Sequence, residues 1–165
     1  MRSLTLPAFL AMVLSILGLL LGARQAAAQT ATDTFQVRAQ VTKTCTVVAN
    51  DLDFGIYNSS QQSRASSDMT VQCTPLTPFA VEVGAGGSGN RNDRWMNGPG
   101  VNRLRYGLYK DGGYTQPMMT TGSDFTGQSD PQGTPIRYQI YGQIVANQSV
   151  PAGDYLDTVT VTVTY

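Results

Sequence analysis

The residues that most often carry catalysis are scarce in this chain of 165 residues. It contains no histidine, so the commonest general base and the triads built on it are absent. The sole glutamate, Glu82, alternates with the apolar residues of "FAVEV", which predicts a solvated position on a strand. No nucleophile, base and orienting group stand at a spacing that indicates a reaction. We therefore predict no enzyme and no catalytic residue.

Carboxylates and cysteines are the remaining candidates for metal ligands. Asp51 with Asp53, and Asp124 with Asp130, follow no calcium-loop spacing and stand among turn residues, so we expect them to form turns. Two cysteines without a histidine make a poor zinc set. The sequence predicts no metal site and no cofactor.

One glycine motif has the spacing of a dinucleotide fingerprint. "GAGGSG", Gly84 to Gly89, follows a predicted strand, but the fingerprint also requires a helix whose N-terminus receives the pyrophosphate. The residues that follow, "NRNDRWMNGPG", have the composition of a loop. We predict a flexible connection with Arg94, Trp95 and Met96 at its base or edge. Trp95 is interpreted as a core or rim residue, and a role as a ligand platform remains the alternative.

The first 28 residues are typical of a secretory signal peptide. Arg2 precedes an apolar run from Leu4 to Ala23, and Ala26 to Ala28 fit a small-residue cleavage site after Ala28. The apolar run approaches the roughly 20 residues of a membrane-spanning helix, so an uncleaved anchor is the alternative. Export leads to an oxidising compartment, where Cys45 and Cys73 are expected to form a disulfide.

Residues 29–165 are predicted to form one domain. Without Arg2 and Arg24, nine basic residues remain of 11, against 11 acidic ones, a net charge near −2. No basic run is present, so nucleic acid is not an expected partner.

Short alternating runs separated by turn residues recur from Thr34 to the end, which predicts an all-β, antiparallel fold and favours an immunoglobulin-like sandwich. A strand is also expected to return near Met118, whereas the stretch "TTGSDFTGQSDPQGTP" is predicted to be a loop. The other predicted strands lie in "TFQVRAQVTKTCTVVA", which is long enough for two, "LDFGIY", "DMTVQC", "FAVEV", "RLRYGLY", "IRYQIYGQIV" and "YLDTVTVTVTY".

Two of these runs alternate clearly: the last one strictly, and the first with an apolar face that only Lys43 interrupts. The last run needs a cover for its apolar face and a partner for its edge, since an unpaired edge is a template for aggregation. The first run is either this chain's own first strand, paired in cis, or a free segment that pairs with another molecule. The aligned apolar residues are Val159, Val161, Val163 and Tyr165 in the last run, and Phe35, Val37, Ala39 and Val41 in the first.

The order of motifs resembles the spore coat protein U domain family, which includes the archaic chaperone-usher (Csu-type) pilins. The resemblance covers nearly all of residues 29–165. It is carried by "TCTV", "LDFGIY", "VQC", "FAVEV", "LRYGLYKD", "YGQI" and "AGDYLDTVTVTVTY".

This resemblance implies an incomplete immunoglobulin-like β-sandwich that lacks its last strand and is completed by a donor strand. Residues 29–43 would be the donor segment, with plugs at Phe35, Val37, Ala39 and Val41. The edge of the acceptor groove would be the strand that carries Val159, Val161, Val163 and Tyr165.

The resemblance also implies partners and a location. The partners would be a periplasmic chaperone, an outer-membrane usher and neighbouring pilin subunits, in a homopolymer or a heteropolymer. The exported chain would cross the periplasm and polymerise by donor-strand exchange into a cell-surface fibre for adhesion and biofilm formation. An additional N-terminal adhesive domain would exceed this length, so a rod or minor linking subunit is expected. The alternatives are a self-contained secreted binding module and a structural protein of a spore or cell coat.

Overall fold

The computed structural model describes residues 27–119 and 122–165. The predicted signal peptide lies outside the described residues, apart from Ala27 and Ala28. The chain divides after Gln40 into two units, and residues 27–40 of the first have no regular secondary structure. The second unit, Val41–Tyr165, holds all the strands of the described residues. Within the described ranges no helix has the length and apolar character needed to cross a membrane.

Eight strands and one short 3₁₀ turn, Gly86–Ser88, make up the second unit. The strands are β1 (Cys45–Ala49), β2 (Ser63–Cys73), β3 (Pro78–Val83), β4 (Arg94–Asn97), β5 (Arg103–Tyr109), β6 (Phe125–Gln128), β7 (Ile136–Ile144) and β8 (Val161–Thr164).

The strands form two antiparallel sheets, one in the order β1-β2-β7-β5-β4 and the other in the order β6-β3-β8. An immunoglobulin-like sandwich places strands A, B, E and D in one sheet and C, F and G in the other. Here β1, β2, β7 and β5 take the places of A, B, E and D, and β3 and β8 take those of C and F. The all-β, immunoglobulin-like prediction is confirmed. Beside β8, the place of G holds no strand of the described residues.

The core lies between the sheets and follows the period of two that the strands impose. On β2, Met69, Val71 and Cys73 are 5% exposed or less, whereas Gln72 between them is exposed. Their counterparts on β3, β5 and β7 include Phe79, Val81, Val83, Leu108 and Ile140.

The predicted disulfide is confirmed and joins the first two strands. Cys45 and Cys73 are register partners in the β1–β2 pair and are separated by 28 residues in sequence. Closing a loop of this length stabilises the fold by roughly 3 to 4 kcal/mol in the chain-entropy model. The bond holds β1, an edge strand, on its sheet.

Several predicted strands are shorter than expected or absent. In the first alternating run only Cys45–Ala49 is a strand, and "LDFGIY" contains none. The last run forms a strand only at Val161–Thr164, because Leu156 before it bridges to Asn97 on β4. Near Met118 the chain makes a single bridge, between Tyr109 and Pro117, with the N–H of Met118 on the carbonyl of Leu108 and that of Lys110 on the carbonyl of Gln116.

Two strands were missed by the sequence prediction. β4 lies in the predicted loop that contains Trp95, and β6 lies in the predicted loop that begins with Thr120. Each has only four residues and forms by pairing with a longer neighbour, β4 with β5 and β6 with β3. Tertiary pairing here overrides weak local propensity.

Candidate functional site

A groove of about 1300 Å³ opens between the two sheets, and we call it the β8 groove. One wall is the segment 49–59 that follows β1, and the other wall is the segment 148–157 together with Val159 and Val161. Its floor is apolar, and the residues that form it are 8% exposed or less. These floor residues are Val83, Leu104, Leu108, Ile140 and Ile144.

The residues predicted to edge the groove lie on and around β8. Val159, Val161 and Val163 are half-buried and pack against the core, and the first two line the groove. Tyr165 follows β8 and is 54% exposed. One edge of β8 pairs with β3, with Val161 opposite Val83. The other edge carries no strand of residues 27–119 or 122–165 and leaves backbone groups open to pairing.

The four predicted plug residues lie in a stretch without secondary structure. Phe35, Val37 and Val41 are 87%, 84% and 87% exposed, and Ala39 is exposed as well. Leaving a Phe or Val side chain in water forgoes about 1.5 to 3 kcal/mol of burial free energy each. Clustered exposed apolar side chains are typical of interaction surfaces.

The wall formed by "LDFGIY" is held by side chains in place of a strand ladder. Phe54 packs edge-on against Tyr106 with ring centroids 6.2 Å apart, and Tyr57 donates its hydroxyl proton to the carbonyl of Val145 at 3.0 Å. Gly142 on β7 makes room for this wall, since a Cβ there would lie 2.7 Å from the Phe54 ring. The wall can therefore remain apart from β8 and leave the groove open.

A carboxylate that sequence reasoning missed lies at one end of the groove. Asp157 accepts hydrogen bonds from the Tyr106 hydroxyl at 2.6 Å and from the backbone N–H groups of Gly87 at 2.7 Å and Thr158 at 2.9 Å. Burial, reinforced by the hydrogen bond to Asp157, raises the pKa of Tyr106 above its ordinary value. The phenol therefore remains a proton donor to Asp157. The available signal was parity, because Asp157 is in phase with Val159 and Val161.

The glycine motif "GAGGSG" packs against this carboxylate. A Cβ at Gly86 would lie 2.0 Å from Oδ2 of Asp157, and Gly86 has a positive φ of 67°. Glycine is therefore required for the close approach and for the backbone conformation. The 3₁₀ turn leads into β4, whereas a dinucleotide fingerprint would lead into a helix. The glycines place the backbone N–H of Gly87 on Asp157.

Behind the groove, charged side chains already have hydrogen-bond or ion-pair partners. Arg94 is 2% exposed and donates hydrogen bonds to the carbonyl groups of Val83, Gly84, Arg91 and Met118, and its burial lowers its pKa. Asp124 forms an ion pair with Arg91, in which both side chains are 8% exposed or less.

The other aspartates considered as ligands have turn or rim positions. Asp130 accepts the N–H groups of Gln132 and Thr134, and Asp53 accepts that of Gly55. Asp51 and Asp53 are exposed on the groove wall. Trp95 is half-buried, with the Arg103 guanidinium 4.1 Å from its ring centroid, so one face of the indole is covered.

Comparisons with known proteins agree with this architecture. Protein U of Myxococcus xanthus is 30% identical to this chain in an alignment 164 positions long. The alignment covers 85% of this chain and 88% of Protein U. A similar solved structure is the CsuC–CsuE chaperone–tip adhesion subunit pre-assembly complex from the archaic chaperone-usher Csu pili of Acinetobacter baumannii. The match has a TM-score of 0.56 and 26% sequence identity. It covers 76% of this chain and 40% of the matched chain. The fold thus resembles that of a chaperone-usher pilus subunit.

The match to a family is equally broad. The model of the Spore Coat Protein U domain matches residues 31–162, which include every strand except the last two residues of β8. The chain therefore belongs to the Spore Coat Protein U domain family.

Proposed function

We propose that this chain is a structural subunit of a surface fibre that polymerises by donor-strand exchange. The observation that carries the proposal is the free edge of β8 above an open apolar groove, at the place of strand G. A strand added at this edge gains backbone hydrogen bonds, and its alternate side chains enter the groove.

Residues 35–41 have the composition that such a strand needs. Their four apolar side chains alternate with Gln36, Arg38 and Gln40, so one face can enter the groove and the other can face water. Burying a Phe, two Val and an Ala contributes on the order of 5 to 9 kcal/mol before ordering costs. Together with a shared ladder, this stabilisation supports a long-lived assembly.

The assembly route follows from the likeness to the Csu complex. A periplasmic chaperone would first lend its own strand to the β8 groove, and the solved relative is itself a chaperone–subunit complex. An outer-membrane usher would then exchange that strand for the N-terminal segment of the next subunit. The chain would be exported by residues 1–28 and displayed in a fibre for adhesion and biofilm formation, as a rod or minor linking subunit.

A coat protein is the second candidate function. It is favoured by the family's description and by the 30% identity to Protein U. It would use the same groove in a covering layer in place of a linear fibre. A binding module based on Trp95 is less favoured, because Arg103 covers one face of the indole.

The proposal predicts that removing plugs abolishes polymers without abolishing the fold. The test variant is the full chain with Val37→Asp and Val41→Asp, and the control has Gln36→Asp and Gln40→Asp, which add the same charge on the other face. Each is co-expressed with a cognate chaperone and analysed for detergent-stable ladders in unheated gels. We expect ladders from the wild type and the control only.

Two results would contradict this proposal. One is equal ladders from both variants, which would exclude the plug face from assembly. The other is a wild-type chain that remains a folded monomer at every concentration and is unfolded by the Val37 and Val41 substitutions, as expected of a strand paired in cis.

A further inference from the structure

We infer that the occupant of the β8 groove is a second copy of this chain, whose Lys43 pairs with Asp157 and thereby fixes the register of the donated strand. This inference rests on the proposed function and identifies the partner that it left open.

The register follows from matching two alternating faces. Both sheets are antiparallel, so a strand that completes the sandwich runs antiparallel to β8. The four plugs then oppose the four apolar residues at and around β8 in one register, with Phe35 opposite Tyr165 and Val41 opposite Val159. Two residues further on, Lys43 lies opposite Asp157. The intervening Gln36, Arg38 and Gln40 lie opposite the exposed Thr164, Thr162 and Thr160.

Neighbouring registers fit worse. A shift by two residues in one direction places Lys43 against Val159. A shift by two in the other direction places Val41 against Asp157 and Asp33 against Tyr165. A shift by one turns every plug to the solvent. Only the first register pairs charge with charge and apolar with apolar.

Asp157 is one of the residues that line the groove. It is half-buried at the end of the groove, where three hydrogen bonds hold it, and it makes no ion pair within the described residues. A partly desolvated carboxylate is stabilised by an opposite charge. Lys43 is exposed and has no ion-pair partner in that same part of the chain.

The other charged residues that line the groove are negative, as Asp157 is. The groove's other ionisable acids are Asp51, Asp53 and Asp154, and no lysine or arginine is among the described residues that line it. Residues 29–43 carry Arg38 and Lys43 against one acid, Asp33, a net charge of +1. The groove and the segment of the same chain are therefore complementary in charge as well as in alternation.

The test measures the binding of a donor peptide to an acceptor chain whose own N-terminal segment cannot serve as a donor strand. The acceptor is the full chain with Val37→Asp and Val41→Asp, refolded with excess peptide so that a donor-dependent fold is also measured. The peptides span residues 29–44 with an amidated C-terminus, in wild-type, Lys43→Gln and Arg38→Gln forms. The two substitutions remove the same charge from opposite faces of the strand.

We expect the dissociation constant to rise about tenfold for Lys43→Gln and less than about twofold for Arg38→Gln. On an acceptor that also carries Asp157→Asn, which keeps an oxygen for Tyr106, the wild-type and Lys43→Gln peptides should bind within about twofold of each other. If that acceptor does not refold, the salt dependence decides, because the wild-type peptide should lose more affinity with added NaCl than Lys43→Gln.

The outcomes separate the two proposals. Binding that Lys43→Gln does not weaken, or weakens no more than Arg38→Gln does, would overturn the Lys43–Asp157 pair and leave strand donation intact. No binding of the wild-type peptide under any condition would overturn strand donation itself.

Discussion

Arg94 shows how a single residue can stabilise this sandwich without an acidic partner. Its guanidinium lies between the end of β3, the start of the glycine motif, Arg91 and the segment that contains Met118, and it bonds only to carbonyl groups of the backbone. The bonds to Val83 and Met118 are buried, and a buried carbonyl left without a donor costs about 1 to 3 kcal/mol. Arg94 thus ties together loops that have no ladder of their own.

Substituting Arg94 should therefore destabilise the fold severely. We predict that Arg94→Met lowers the free energy of unfolding by about 3 kcal/mol or more, because four backbone carbonyl groups lose their donor. The matched control is Arg105→Met, since Arg105 is 69% exposed in its pair with Asp93 and should change stability by less than about 1 kcal/mol. Urea unfolding of chaperone-released subunits measures both, and equal losses would refute this role of Arg94.

The sequence predicted whether a side chain is buried or exposed only where its place in an alternating run decides which face of the strand it lies on. Glu82 is exposed on β3, as its alternation with Phe79, Val81 and Val83 indicates. Asp157 was missed because a lone charge in an alternating run is usually solvated. Its acceptor role depends on Tyr106 and Gly87, which are 51 and 70 residues away in sequence.

At the scale of elements, β8 and its preceding residues form one half of the proposed joint. Val159 faces the groove, whereas Thr160 points to solvent and its carbonyl accepts the N–H of Gly84 at 2.8 Å. The two positions are adjacent but belong to opposite faces. They therefore offer a matched pair of substitutions in the acceptor.

Val159→Asp should block acceptance but not donation, because it places a charge beside an apolar floor while residues 29–43 stay intact. Mixed with the wild type, this variant should shorten fibres, since it can enter at one end and cannot be extended. Thr160→Asp should leave the length distribution unchanged. Electron microscopy of mixtures at increasing variant fraction measures this, and equal lengths for the two variants would speak against a groove at Val159.

Long alternating runs were predictable as elements, and short ones were not. β3, β5 and β7 fall where alternation placed them, because each has six or more residues with one buried face, whereas β2 begins at Ser63, five residues before the predicted run "DMTVQC". β6 depends on pairing with the distant β3, and β4, although it forms a hairpin with the next strand β5, has only four residues, too few for a clear alternation. "LDFGIY" was predicted as a strand from its residue types, yet Phe54 and Tyr57 hold it by side-chain contacts.

At the scale of the whole molecule, the arrangement of strands matches an immunoglobulin-like sandwich from A to F. The missing neighbour of β8 and the exposed alternation at residues 35–41 are complementary, and sequence alone left open whether the two meet in cis or in trans. The alternation of apolar and polar residues at 35–41 is the same whether the segment pairs in cis or in trans. The folded topology adds the place beside β8 that holds no strand of the described residues.

The most direct measurement is a cross-link between copies at the predicted register. Gln40 would oppose Thr160, which brings their Cβ atoms to about 4.5 to 5.5 Å. One chain carries Gln40→Cys and the other Thr160→Cys, and a short bismaleimide joins them after assembly. As a mismatched control, Thr164→Cys lies four residues away, roughly 13 Å along the strand.

Strand donation between copies predicts a covalent dimer that contains one copy of each variant in the Gln40→Cys and Thr160→Cys mixture. It predicts none from either variant alone or from the mismatched pair. A chain that carries both cysteines, diluted into excess wild type, should cross-link to neighbours only in undiluted assemblies. If this chain instead cross-links within itself at every dilution and the mixture yields no dimer, strand donation between copies is contradicted.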